Sequence, residues 1–321
     1  MRNFHLLLLL VLLALADGEI HFDQCWHVFL DVGANIGQQV KMLFEGNTTA
    51  HEGGSALSKM FDYAYGTDLD VRRRSVCALG FEPNPHNTRE LLSLEAEHDA
   101  HGWRTRFLTE TAASIEDGTA PFYTDEKAPK WAHEWASSLV SYSSNTKMGS
   151  KNEVKVTTVD LAHLIATRVL SRELPSRPAG STQPPSVILK IDAEGAEFSL
   201  LSRMLSMGVL CRIDFATIEY HDERNGNWIE LMDKLDHAPR GFQRAVEYMV
   251  KHAGSGCKVR FQELSPIDDG DHVRRAQSFG LAAKDVQKFA KAGTTKNEGA
   301  PTHLCRCERG HGRCRCPGTH Y

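Results

Sequence analysis

Short apolar runs that end in a carboxylate and alternate with stretches of helical periodicity constrain this chain more than any other feature. HVFLDV (27–32) and SVILKID (186–192) are continuous apolar runs of strand length, and VCALGFE (76–82) and FATIEY (215–220) read the same way. A strand that is apolar on both faces is one that is covered on both faces. The first three runs each precede a helical pattern: QQVKMLFE, TRELLSLEAEH and AEFSLLSRML. The alternation predicts an α/β fold, a mostly parallel sheet with helices on both sides. Further candidate strands are TRFLTE (105–110), APFYT (120–124), EVKVTTV (153–159) and KVRFQEL (258–264), the last preceded by a helical GFQRAVEYMVKH.

Three stretches interrupt that pattern. Residues 45–75 are rich in Gly, Ser, Thr and Asp and read as an insertion before the second strand. SRELPSRPAGSTQPPS (171–186) reads as an exposed Pro/Ser loop. From Ser265 the chain turns polar and ends rich in glycine and cysteine.

The N-terminus has its own logic. Arg2, the apolar run Leu6 to Leu15 and the small residues of Ala14-Leu15-Ala16 form the pattern of a secretory signal peptide, with cleavage expected near Ala16. An apolar run of about ten residues is short against the roughly 20 that span a bilayer, so a retained signal anchor is the alternative and no stable membrane span is expected after cleavage. The expected organisation is a signal peptide at 1–16, one domain at 17–264, and a polar tail at 265–321. All eight cysteines (25, 77, 211, 257, 305, 307, 314 and 316) follow the leader, which fits an oxidising compartment. Asn47-Thr48-Thr49 is a glycosylation sequon and adds slightly to the secretory reading. A net charge of −4 lacks the basic excess of a nucleic-acid binder, and no nucleic-acid partner is expected.

In VFLDVGANIGQ (28–38) the first strand ends at Asp31 and turns through Gly33, Asn35 and Gly37 into a helix. Backbone N–H groups and a helix N-terminus then face a ligand. A dinucleotide fingerprint needs a glycine where Asn35 stands, and no G-K-[ST] follows to make a P-loop. Asparagine tolerates the left-handed backbone such a turn requires. A carboxylate before the turn repels a pyrophosphate but receives an ammonium, which favours the amino-acid end of S-adenosylmethionine. GFEPNP (80–85) ends the second strand in Glu82, placed to accept ribose hydroxyls, with Pro83 and Pro85 fixing the turn.

DVGANIG, GFEPNP, VKVTTVDL and LKIDAEGAEF, in this order, resemble the FkbM-type family of S-adenosylmethionine-dependent methyltransferases. The resemblance runs from about residue 28 to 221. It implies the class I, Rossmann-like methyltransferase fold, a three-layer sandwich around a seven-stranded, mainly parallel sheet with one antiparallel strand near its edge. It also implies that Asp31, Gly33, Asn35, Gly37 and Glu82 contact the cofactor, and that Ala112 in TETAAS lies beside the adenine. The insertion at 45–75 and the cysteine-rich tail depart from the family pattern.

In an open α/β sheet ligands sit at the carboxyl ends of the strands. Asp192 ends one such strand, Glu219 nearly ends the next, and His221 lies just beyond. Strand periodicity puts Lys190 and Asp192 on one face, and Glu219 and His221 together on a face. A lysine in an apolar strand needs a carboxylate partner. If the methyl acceptor is a hydroxyl, a base must take its proton, and Asp192 and His221 are the candidates, with Glu219 orienting His221 or the substrate. Glu194 and Glu197 also read as first-turn helix charges, Lys190 as a plain ion-pair partner, and Asp192, Glu219 and His221 as a divalent-metal set. Trp131 and Trp135 with Ser137 and Ser138 could cover the acceptor or could be core. The tail CRCERGHGRCRCPGTHY pairs C-x-C units across six residues. Structural zinc sites place roughly two to four residues within each cysteine pair, so local disulfides fit this spacing better than metal.

The leading expectation is a methyltransferase of the secretory pathway that uses S-adenosylmethionine to O-methylate a glycan or small metabolite. The competing ones are a catalytically silent binding module of the same fold and a nicotinamide oxidoreductase, the latter disfavoured by Asn35.

Overall fold

The computed structural model describes residues 22–46, 56–125, 151–219, 257–263, 306–307 and 314–315. The leader, the sequon, Trp131 to Ser138, His221, the helical pattern at 241–252 and most of the tail lie outside the described residues.

The apolar runs of the sequence form the strands. They are β1 (His27–Val32), β2 (Val76–Glu82), β3 (Arg104–Thr109), β4 (Thr111–Ser114), β5 (Gly118–Asp125), β6 (Lys151–Asp160), β7 (Val187–Ile191), β8 (Phe215–Ile218) and β9 (Arg260–Glu263). The helices are α1 (Gln38–Glu45), α2 (Ala56–Tyr65), α3 (Leu69–Ser75), α4 (Thr88–Ala100), α5 (Leu161–Leu164), which continues as a π turn over Ile165–Val169, and α6 (Glu197–Ser206). The main sheet has the order β3-β2-β1-β7-β8-β9, and all its pairings are parallel. β4, β6 and β5 make a small mixed sheet in that order, β4 and β6 parallel and β5 and β6 antiparallel.

The order reverses direction at β1. β2 and β3 lie to one side, and β7, β8 and β9 to the other, which opens a crevice over the carboxyl ends of β1 and β7. Against the expected seven strands, the described residues form six in the main sheet, and antiparallel pairing among them lies in the small sheet and in a two-residue hairpin, Arg306–Cys307 with Cys314–Arg315.

Burial follows the pattern of the sequence. Every residue of β1, β2 and β7 is buried. Val28, Leu30 and Val32 pack on one face against Leu189, Ile191, Leu200 and Leu201. Phe29 packs on the other against Leu43, Phe44, Phe61 and Ile188. Each such side chain stabilises the fold by about 1.5–3 kcal/mol relative to exposure.

The stretch 45–75, expected as an insertion, contains two helices, and one of them supplies five residues of this second core. Leu57, Met60, Phe61, Ala64 and Tyr65 are buried at the i, i+3, i+4, i+7, i+8 spacing of an amphipathic helix. Tyr65 also donates its hydroxyl to the Val28 carbonyl at 2.6 Å. Polar flanking residues dilute that periodicity when the stretch is judged by composition. α3 is capped by Asp68, which accepts from the N–H groups of Asp70 and Val71.

Two disulfides staple the domain. Cys25–Cys77 ties the entry to β1 onto β2, and Cys211–Cys257 ties the turn before β8 to the entry of β9. Among the described residues no helix is long and apolar enough to cross a membrane.

Candidate cofactor and active site

The turn after β1 is built on left-handed backbone. Gly33, Asn35 and Gly37 have φ of 75°, 51° and 79°. At Gly33 glycine is required twice, because a Cβ there would stand 1.9 Å from the Asp192 carbonyl oxygen. The backbone of the turn therefore lies directly against the carboxyl end of β7. At Gly37 a Cβ would meet Leu94 at 2.5 Å, so the start of α1 seats tightly on α4. The amides of Gly33 and Ala34 both donate to the Phe81 carbonyl, and the Asp192 amide donates to the Val32 carbonyl. These bonds fix the turn between β2 and β7.

Glu82 ends β2 across from the turn. Its Oε2 accepts the Asn35 N–H at 2.7 Å and its Oε1 accepts the Asn84 N–H at 2.8 Å, with the Asn87 side chain adding a further hydrogen bond. Burial pushes its carboxyl up to about 7, against the opposing pull of those hydrogen bonds and of the Lys190 ammonium. Pro85 opens a 3-10 turn, and Asn84 caps it by accepting the His86 N–H at 3.0 Å. Asn84 and Asn87 were not singled out from the sequence. The signal available was the N-P-x-N spacing directly after the strand.

Asp31 and Lys190 are register partners in β1 and β7, so their side chains stand side by side on one face. The Lys190 ammonium donates to the Gly33 carbonyl at 2.5 Å and lies 3.3 Å from Asp31 and 3.4 Å from Asp192. Side-chain exposure is 0% at Asp31, 1% at Lys190 and 19% at Asp192. The expected sharing of a face by Lys190 and Asp192 is what the strand delivers. Asp31 is covered and lies against Lys190.

Past β7 the chain makes a second left-handed turn, with φ of 48° at Glu194 and 109° at Gly195. Glu194 therefore precedes α6 rather than sitting in its first turn. Glu197 is the first helical residue, fully buried, and accepts the Gly195 N–H at 2.8 Å. The Glu219 N–H donates to the Ile191 carbonyl at 2.9 Å, so the β7–β8 ladder continues to the neighbourhood of Asp192. Ala112 lies in β4, buried with Phe122 and Val156 in the core of the small sheet. His221 lies outside the described residues. Among the described residues no group of three or more His, Cys, Asp or Glu is arranged to hold a metal ion.

The residues fit a nucleoside ligand with an amino-acid arm. Asn35 Oδ1 is a buried acceptor with no hydrogen-bond partner among the described residues, positioned on the turn itself. Glu82 keeps acceptor capacity beyond the two amides it already binds. The crevice carries Asp192 as its partly exposed carboxylate.

No curated protein and no solved structure matches the chain. Residues 31–254, well over half of its length, match the profile of the methyltransferase FkbM domain, a span that opens on Asp31 and contains both turns and Glu82. With a parallel sheet that reverses at β1, a left-handed turn in the crevice and an acidic residue ending β2, this chain belongs to the FkbM methyltransferase family.

Proposed function

We propose that the protein uses S-adenosylmethionine to methylate a hydroxyl of a glycan or small metabolite in the secretory pathway. The observation that carries the cofactor reading is the pairing of Glu82 with the Asn35 amide across the crevice. It sets the Glu82 carboxyl beside a turn whose backbone admits no side chain at Gly33, which supports a role for Glu82 as acceptor of ribose hydroxyls. In this reading Gly33, Asn35, Gly37 and Glu82 hold the nucleoside and the arm of the cofactor, and Ala112 borders the adenine. When bound, the cofactor supplies a methyl group on a cationic sulfur.

The chain's own residues supply orientation and proton handling. Asp192, at the mouth of the crevice, takes the proton of the acceptor hydroxyl as it attacks, and His221 is the second base candidate, with Glu219 in the role of orienting His221 or the substrate. A general base of this kind contributes about 100- to 10,000-fold, and the positioning of acceptor against donor contributes the rest. The secretory setting is supported by the two disulfides and by the leader pattern at residues 1–16.

Calorimetric titration of the purified chain with S-adenosylmethionine and with S-adenosylhomocysteine tests the cofactor. Micromolar binding of both is expected, about −8 kcal/mol. Binding of neither favours a silent module, and binding of a nicotinamide dinucleotide instead would sink the methyltransferase reading. Asp192→Asn and His221→Ala are each expected to reduce turnover by about 100-fold or more while leaving cofactor affinity within a few-fold. Wild-type turnover in both would remove them as bases.

A further inference from the structure

A lysine in the middle of a fully buried strand calls for a reason, because a buried cation is retained only where its partners are well placed. Among the described residues Lys190, besides its pull on the Glu82 carboxyl, meets groups that belong to different parts of the site. One is the Gly33 carbonyl at 2.5 Å, in the turn. The second is Asp31 at 3.3 Å, beneath the turn, and the third is Asp192 at 3.4 Å, at the mouth. The Asp31 carboxylate is 0% exposed, so it has no surface to offer a ligand, whereas Asp192 keeps 19%. An apolar residue at position 190 would remove the donor to the Gly33 carbonyl and take the Lys190 cation away from the buried Asp31 carboxylate. The turn that Lys190 grips is the one whose Gly33 Cα already touches the end of β7, where a displacement of about 1 Å can cost roughly 100-fold in a positioned reaction.

We propose that Lys190 is the positioning residue of the cofactor turn, holding Gly33 through its carbonyl, and that Asp31 serves Lys190 rather than the cofactor. This rests on the cofactor reading above. The acidic residue before the glycine turn is then a support, and Asp192, which keeps 19% exposure, stays available to the acceptor.

The test uses the full chain as wild type, Lys190→Met, Asp31→Asn and the double variant Asp31→Asn/Lys190→Met. Each is titrated with S-adenosylhomocysteine and melted thermally. Lys190→Met is expected to lower affinity at least about tenfold and to lower the melting temperature, since Asp31 loses its cation. The double variant removes cation and carboxylate together. It is expected to melt within about 3 °C of wild type yet to bind as weakly as Lys190→Met, because the donor to Gly33 is still missing. Asp31→Asn keeps that donor and is expected to bind several-fold more tightly than Lys190→Met. A double variant that regains wild-type affinity along with its melting temperature would reduce Lys190 to a structural ion pair and overturn the proposal. So would a double variant that melts as low as Lys190→Met, or an Asp31→Asn chain that loses as much affinity as Lys190→Met. Should Lys190→Met fail to fold, Asp31→Asn against wild type decides, with a loss of about tenfold or more placing Asp31 on the ligand. A wild-type chain that binds no S-adenosylhomocysteine refutes the cofactor reading itself, a result distinct from any ordering among the variants.

Discussion

Replacing Glu82 by glutamine removes a carboxyl that burial holds at about 7, against an ordinary 4.5. A carboxyl whose folded value is raised binds its proton more tightly in the native state than in the unfolded one. Its contribution to stability is fully present below pH 4.5 and is lost as pH rises through about 7. The shift spans roughly two and a half units, so the native state loses about 3 kcal/mol from this group between pH 4 and pH 8. For a domain of this size that is about 6–12 °C of melting temperature.

The raw pH profile hides the effect, because His27 and His98 act in the opposite sense. Burial lowers them to about 3 and about 4, so each stays neutral in the fold while the unfolded chain takes up a proton, and stability falls as pH drops below 6.5. Both histidines are common to wild type and variant and cancel in the difference. Unfolding measured at several pH values for both proteins should therefore give a wild-type-minus-Glu82→Gln difference that declines by about 3 kcal/mol from pH 4 to pH 8. A flat difference over that range would refute the account of Glu82 as a carboxyl strained by burial. The same variant should lose cofactor affinity. Its two oxygens accept from two backbone amides, and an amide side chain must turn an NH2 toward one of those N–H groups. Hydrogen bonds to a charged group contribute about 1.5–3 kcal/mol, so a loss of at least about tenfold in S-adenosylhomocysteine affinity is expected.

Gly33→Ala should fold with reduced stability and lose S-adenosylhomocysteine binding by about 100-fold or more in calorimetry, since the Asp192 carbonyl must retreat from a Cβ placed 1.9 Å away. Phe61→Ala should cost about 3–5 kcal/mol in denaturant unfolding, because Phe61 is fully buried in α2 against Phe29. A cost below about 1 kcal/mol would return the 56–65 stretch to the status of a peripheral insertion. Cys25→Ser/Cys77→Ser opens a loop of 52 residues, and a loss of about 4 kcal/mol is expected from chain entropy, measured against wild type without reductant. Mass spectrometry of a non-reduced digest should recover the Cys25–Cys77 and Cys211–Cys257 cross-links.

The strands were legible because burial on both faces leaves few polar residues to break the run. VCALGFE is β2 and HVFLDV is β1 to the residue, and the helical pattern QQVKMLFE is α1. Reading failed where a periodic segment was short or flanked by polar residues. α2 sits between a stretch of Gly and Ser and the polar turn before α3, and β4 is only four residues long. The pairing of Cys25 with Cys77 could not be read, since eight cysteines allow 105 pairings if all are joined. What pairs them is the parallel register that sets Val28 of β1 against Cys77 of β2.

The candidate site divides along the same line. Spacing located the turn, Glu82 and the end of β7, because each is a property of one strand and its own terminus. It did not rank the carboxylates, because that ranking depends on which side chain a neighbouring strand covers. Asp31 and Asp192 are both acidic residues at strand ends in the sequence. Only the register that sets Asp31 beside Lys190, and the turn that folds Gly33 over both, puts the first under the backbone and leaves the second at the mouth. The charge facing the crevice is therefore not the sum of the acidic residues in its motifs. Lys190 offsets one of them, the fully buried Asp31.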